Sequence, residues 1–170
     1  MSSEKNLKPL RSGDLHVVLV HPEIPGNTGS AGRTCLAAGA QLHLIEPLGF
    51  SMSDKQVKRA GLDYWVRVEP IVWESWERFE EALPSLGEAF FFSAEGSHDL
   101  WHAEFPPTSQ AGTVLIFGRE AAGLPEALRD KYRDRLVSMP MRDPDLRSIN
   151  LSNSVAVALY EVLRRREPQP

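Results

Sequence analysis

Short β-branched runs alternate along the chain with stretches whose apolar residues recur at helical spacing. Leu15–Val20 (LHVVLV), residues 42–45, 66–68 and 89–93, Thr113–Phe117 (TVLIF) and Leu136–Ser138 predict strands. A helix is expected after the first of them, starting near Asn27 or Thr28, with Ala31, Cys35 and Ala38 at helical spacing and Gly39 as a stop. Ser53 is placed to cap a second helix reaching about Ala60. Further helices are expected over residues 75–83, over 124–131 and over Leu151–Arg166, the last with Val155, Leu159 and Val162 on one stripe. Strands alternating with helices predict an α/β fold, a mainly parallel sheet flanked by helices. Residues 1–13 are polar and aperiodic and read as a flexible N-terminal arm, 14–166 as a single domain and 167–170 as a tail. Residues 96–112, with two glycines, two histidines, an Asp and two consecutive prolines, read as a long loop.

Composition narrows the class without naming a chemistry. In 170 residues, 42% are hydrophobic and 25% charged, as in an ordinary globular domain. No apolar run approaches bilayer length, the N-terminus lacks a signal-peptide core, and a single cysteine, Cys35, cannot form an internal disulfide; the expected location is the cytoplasm, with no membrane partner. The net charge of −4 counts against non-specific nucleic-acid binding, but the positive charge is clustered at Lys5, Lys8 and Arg11, at Lys55, Lys58 and Arg59, and at Arg164, Arg165 and Arg166. Each cluster taken alone reads as a solvated face or a ragged tail.

Three segments carry the unusual residues, and each follows a predicted strand: residues 26–33 (GNTGSAGR), 118–125 (GREAAGLP) and 139–154 (MPMRDPDLRSINLSNS). Ligands of open parallel sheets bind beyond the carboxyl ends of the strands, so these segments are expected to converge on one site. The glycines of the first segment fall as GxxGxxG, which does not fit the spacing of a dinucleotide-binding turn. Asn27 suits a helix N-cap. Arg33 is the only charged side chain of the first helix and stands where a phosphate or carboxylate could meet it. Glu120 is the titratable acid of a glycine-flanked turn, suited to a helix cap, a salt bridge or a ligand contact. Arg147, Ser148, Asn150, Ser152, Asn153 and Ser154 give the start of the last helix more hydrogen-bonding groups than capping uses. That surplus suits a polar, largely uncharged ligand or ribose hydroxyls. The five histidines and one cysteine show no zinc-ligand spacing, and no metal is expected. Trp65, Trp73, Trp76 and Trp101 suit either base stacking or core and dimer packing.

The runs HPEIPGNTGSAGRTC, LHLIEPLGFSMSDKQVKRAGLDYW, IFGREAAGLP and MPM…RSINLSNSVAVALYE resemble the SpoU branch of the SPOUT methyltransferases, a similarity that covers nearly everything from Leu15 to Glu161. Within it the chain is most similar to the small single-domain tRNA 2′-O-methyltransferases that modify the wobble nucleotide. The resemblance implies a C-terminal deep trefoil knot, against the general rule that chains do not knot. It implies S-adenosylmethionine as cofactor, S-adenosylhomocysteine as product, tRNA as substrate and a homodimer, with Tyr160 near the dimer face. By position in the motifs, Phe92, Gly118, Met139 and Ser148 would touch the cofactor, with Leu151 and Ser152 close by. Arg33 would position the 2′-hydroxyl or an adjacent phosphate, and Asn27, Glu120, Asn150 and Asn153 would shape the catalytic site. Arg119 and Ala121 stand where the second motif usually has a proline and a hydroxyl residue, which bears on substrate identity. The alternatives are a target elsewhere in tRNA or in ribosomal RNA, an RNA-binding homologue without catalysis, and a dinucleotide-binding protein.

Overall fold

The computed structural model describes residues 14–53, 64–107 and 110–166. The arm, the tail, the Ser53-capped helix and the cationic clusters before residue 12 and at 55–59 lie outside the described residues. The strands are β1 (Leu15–Val20), β2 (Gln41–Ile45), β3 (Ile71–Trp73), β4 (Glu88–Phe92), β5 (His98–Asp99), β6 (Thr113–Phe117) and β7 (Leu136–Ser138). They form a seven-stranded sheet in the order β3-β2-β1-β6-β4-β7-β5. Every neighbouring pair is parallel. β1 lies inside the sheet and all six of its residues are buried, as a strand covered on both faces requires.

The helices are α1 (Pro25–Ala38), α2 (Trp65–Val68), α3 (Trp76–Leu86), α4 (Glu126–Lys131) and α5 (Leu151–Arg166). One face of the sheet packs Val17, Leu19, Leu115 and Phe117 against Ala31, Cys35 and Ala38 of α1 and Val155, Leu159 and Val162 of α5. The other packs Val18, Val20 and Ile116 against Trp76, Phe79 and Leu83 of α3 and Leu128 of α4. With its three glycines α1 is a poor autonomous helix. Packing makes it one: a Cβ on Gly32 would lie 2.7 Å from the ring of Trp65.

Four local expectations are revised. α1 begins at Pro25, with Ile24 as an N-cap that offers no side-chain acceptor, so Asn27 lies inside the helix. Residues 66–68, with their two β-branched valines, complete a helical turn that buries Val68 on the core containing α1. The strand falls later, at Ile71–Trp73, where it pairs with β2. α4 starts at Glu126, after Pro125. The long loop contains β5 and a turn in which the amides of His102 and Ala103 donate to the Asp99 carbonyl at 3.1 Å.

The C-terminal arginines are structural. Arg165 donates to the carbonyls of Leu100, Trp101 and Ala103, and also to the Glu161 carboxylate. Arg166 donates to the Asp14 carbonyl at 3.3 Å and to the Thr113 hydroxyl at 2.8 Å. Held by Arg164 and Arg165, Glu161 has its pKa lowered to about 2. Cys35, wholly buried between α1 and the sheet, has its thiol pKa pushed up to about 12 by burial.

Among the buried polar groups, His16 and His43 form a chain across adjacent strands. Trp73 Nε1 donates to His43 Nδ1 at 3.1 Å, which leaves the proton of a neutral His43 on Nε2, 3.0 Å from His16 Nδ1. Burial, reinforced by the neighbouring His16, lowers the pKa of His43 to about 3.

Candidate active site

In a parallel sheet every strand delivers its following loop to the same edge. β1 and β6 are neighbours, but α1 returns on one face of the sheet and α4 on the other. The place outside the carboxyl ends of β1 and β6, where the connections part to opposite faces, is the usual position of a ligand in such folds. Residues 26–33 and 118–125 border it from these two strands, and residues 139–154 reach it from β7.

A run of hydrogen bonds joins the three segments. Glu120 accepts from the backbone N–H of Glu23 at 2.8 Å and of Ile24 at 3.1 Å, and from Asn27 Nδ2 at 3.2 Å. It thus supplies from the β6 loop the acceptor that Ile24 cannot give the start of α1, where a negative charge is also favoured by the helix dipole. The Asn27 side-chain oxygen accepts from Asn150 Nδ2 at 3.0 Å. Asn150 in turn caps α5: its Oδ1 accepts from the Ser152 amide at 2.9 Å, the Ser152 hydroxyl at 2.6 Å and the Asn153 amide at 3.3 Å. Three of the polar residues expected at the site, Asn27, Glu120 and Asn150, therefore meet. Each is occupied by the others.

An apolar floor lies beside this network. Phe92, at the end of β4, stacks on Phe117, at the end of β6, with centroids 4.5 Å apart and rings 8° from parallel. Met139 and Leu151 pack against the same core. Gly118 is buried where the chain leaves β6, and a Cβ there would stand 2.0 Å from backbone atoms of Gly123 and Leu124. The tight turn that follows is closed by the Arg119 and Gly123 amides, each donating to the other's carbonyl, with Gly123 in the left-handed region at φ 69°. Ser148 and Asn153 are exposed and Ser152 half-buried along the approach to α5. The network passes through no side-chain atom of Ser148 or Asn153.

Arg33 is exposed on α1, its guanidinium 5.3 Å from the centre of the Tyr64 ring. Such stacking restricts the long side chain while leaving its donors available to an anion. Glu23, which the pattern did not single out, accepts from the Ala121 amide at 3.1 Å. Its partner lies 98 residues away, so local sequence carries no signal for it. Of the tryptophans, Trp76 is core, Trp73 serves His43, Trp65 covers Gly32, and Trp101 is 55% exposed. His102 pairs with Asp99 at 2.7 Å, and among the described residues no group of three or more His, Cys, Asp or Glu side chains could hold a metal ion. No helix among the described residues is long and apolar enough to cross a membrane.

The sequence profile of the SpoU rRNA methylase family matches residues 14–160. A tRNA (cytidine(34)-2′-O)-methyltransferase of Methylovorus glucosotrophus is 45% identical over 152 residues, covering 89% of this chain and 95% of that protein. One from Burkholderia pseudomallei is 44% identical over 152 residues, covering 88% and 94%. The fold matches a solved structure described as giving insights into the 2-OH methylation of C/U34 on tRNA, with a TM-score of 0.81, 45% identity and coverage of 89% and 95%. It also matches the SpoU methyltransferase AviRb of Streptomyces viridochromogenes in complex with AdoMet, with a TM-score of 0.75, 26% identity and coverage of 98% of this chain and 63% of that one. A family match over nearly the whole chain, on a parallel sheet whose three motif segments meet at one edge, places this protein in the SpoU methylase family.

Proposed function

We propose that the chain transfers a methyl group from S-adenosylmethionine to the ribose 2′-hydroxyl of nucleotide 34 of tRNA, in the cytoplasm. The observation that carries this is the junction of Asn27, Glu120 and Asn150 at the carboxyl ends of β1 and β6, in a chain 44–45% identical to relatives named for that reaction.

The residues present fit the cofactor. Phe92, Met139 and Leu151 offer an apolar bed, and the irregular backbone after Met139 offers peptide groups free of strand pairing. The exposed Ser148 adds a neutral donor, as a zwitterionic nucleoside calls for, and Ser152, whose hydroxyl donates to Asn150, keeps its oxygen as an acceptor. When bound, the cofactor supplies a methyl group on a positively charged sulfur, open to in-line displacement. Arg33 holds the ribose or its adjacent phosphate so that the 2′-oxygen lines up with that methyl; alignment of this kind contributes much of the rate. Arginine does not release its proton near neutrality and is assigned no base role. The Glu120 oxygens are already held by three N–H donors, so Glu120 fixes loop geometry instead of taking the hydroxyl proton.

A homodimer belongs to the same reading. Val157 and Tyr160 of α5 are 42% and 51% exposed, and Ile24, at the start of α1, is 49% exposed. A second copy would cover these apolar groups. The C-terminal trefoil knot implied by the resemblance belongs to it as well.

Labelled S-adenosylmethionine and tRNA from cells lacking this protein provide the test, with nuclease mapping of the product. Label on the ribose of nucleotide 34 is expected. Cofactor binding with label at another nucleotide, or with none, would reject this substrate. Arg33→Ala is expected to lower kcat/KM for tRNA by about 100-fold, a loss of about 2.7 kcal/mol, with cofactor affinity unchanged. Full activity in that variant would remove Arg33 from the reaction.

A further inference from the structure

We infer that Glu23 is a positioning residue for the methyl-transfer site, acting through a reciprocal clasp between the β1 and β6 loops. This rests on the function proposed above. The clasp has two halves. Glu120, on the β6 turn, takes the backbone N–H of Glu23, while Glu23 Oε2 takes the backbone N–H of Ala121, on that same turn. Each carboxylate is thus bound to the main chain of the other's loop. Each carboxylate charge is thereby met by N–H donors of the opposite loop.

The backbone of Glu23 is itself fixed from a third side. The Gly49 amide donates to the Pro22 carbonyl at 2.9 Å, and a Cβ on Gly49 would fall 2.8 Å from the Glu23 Cα. Glu23 therefore stands on a platform set by the loop after β2 and reaches the turn after β6. Position 121 is alanine, so its amide is the only donor it can offer the clasp. Turn 119–123 leads out of Gly118, which its place in the motif sets against the cofactor, and it carries Glu120, which starts the network to Asn27 and Asn150. Losing the Glu23 half frees the turn on its outer side. The cofactor wall then loosens, although Glu23 touches neither substrate.

The test uses the full-length protein and three variants. Glu23→Gln keeps an oxygen acceptor in place and is expected to stay within about threefold of wild type in every constant. Glu23→Ala is expected to raise the Kd and KM for S-adenosylmethionine about tenfold, with the KM for tRNA changing less than threefold. Glu23→Asp, one methylene too short to reach Ala121, is expected to follow Glu23→Ala and serves in its place if the alanine variant does not fold. Glu23→Ala added to Glu120→Ala is expected to cost less than threefold beyond Glu120→Ala alone, because the clasp is already broken. A wild-type cofactor KM in Glu23→Ala and Glu23→Asp, or effects that multiply in the double variant, would overturn the inference. Amide exchange at Ala121 reads the clasp without catalysis: about tenfold faster exchange in Glu23→Ala is expected, and unchanged exchange would overturn it. If wild-type protein binds no S-adenosylmethionine while Ala121 exchange responds as expected, the proposed function fails and the clasp stands.

Discussion

Gly118→Ala is expected to cost about 3–5 kcal/mol of stability and to abolish detectable binding of S-adenosylmethionine. The added methyl would sit 2.0 Å from the carbonyl carbon of Gly123 and from the nitrogen of Leu124. Both are backbone atoms, so no rotamer change relieves the contact. Overpacking of this kind ordinarily costs about 1–3 kcal/mol. Here the turn that must move also carries Glu120, so the charge-assisted bonds to Glu23, Ile24 and Asn27 weaken with it, and each such bond contributes about 1.5–3 kcal/mol. For a chain of this size, a loss of that order lowers Tm by roughly 10–15 °C. Gly123→Ala is the internal control. Its Cβ would meet nothing within 4 Å, and its only penalty is the left-handed backbone at φ 69°, about 1–2 kcal/mol. Thermal melts of the two variants give the comparison. Similar losses in both would mean that the tight approach at Gly118 is not what holds the turn.

The second expectation concerns acid. His43 titrates at about 3 in the folded protein against an ordinary value of 6.5, because burial and the adjacent His16 disfavour its charged form. Below pH 6.5 the unfolded chain takes up a proton that the folded chain refuses, so stability falls as pH falls from about 6.5 towards 3. At 1.36 kcal/mol per unit, the loss is about 2 kcal/mol by pH 5 and approaches about 5 kcal/mol near pH 3. Glu161 adds to this at lower pH. Its depressed pKa of about 2 contributes stability that is full above the ordinary carboxylate value and disappears as pH falls below about 4.5. Urea titrations at pH 7, 6 and 5 measure the slope. His43→Leu carries no titrating ring at that position and should flatten it, whatever the variant's stability at pH 7. An equal slope in wild type and His43→Leu would exclude this histidine as the cause.

The sheet was legible because its interior strands are covered on both faces and therefore appear as unbroken apolar runs, as in LHVVLV and TVLIF. The same rule misplaced β3. Residues 66–68 include two β-branched valines, yet they form a helical turn because Val68 has a core to enter beside α1. Ile71–Trp73 becomes the strand because β2 offers it an edge. The start of α1 was misjudged for a similar reason: Asn27 has the composition of a cap, but the acceptor at that end comes from Glu120, 96 residues from Ile24. Glu23 was missed for want of any local pattern, since its partner is a backbone N–H on another loop. Arg165 and Arg166 read as a ragged tail and instead bind backbone carbonyls of the loop after β5 and of the residue before β1. Local periodicity records what a residue does to its own element. It is silent about bonds between loops, and the candidate site is made of such bonds.

The lone thiol has a practical use that follows from its position. Cys35 faces the core shared by α1, α5 and the sheet, and with its pKa near 12 almost no thiolate exists at neutral pH. A thiol reagent can therefore modify the molecule only while α1 is detached. The rate of labelling is a clock for how often that happens, and it needs no engineered probe. Ligands that bridge α1 and α5 should slow the clock in proportion to how tightly they bind.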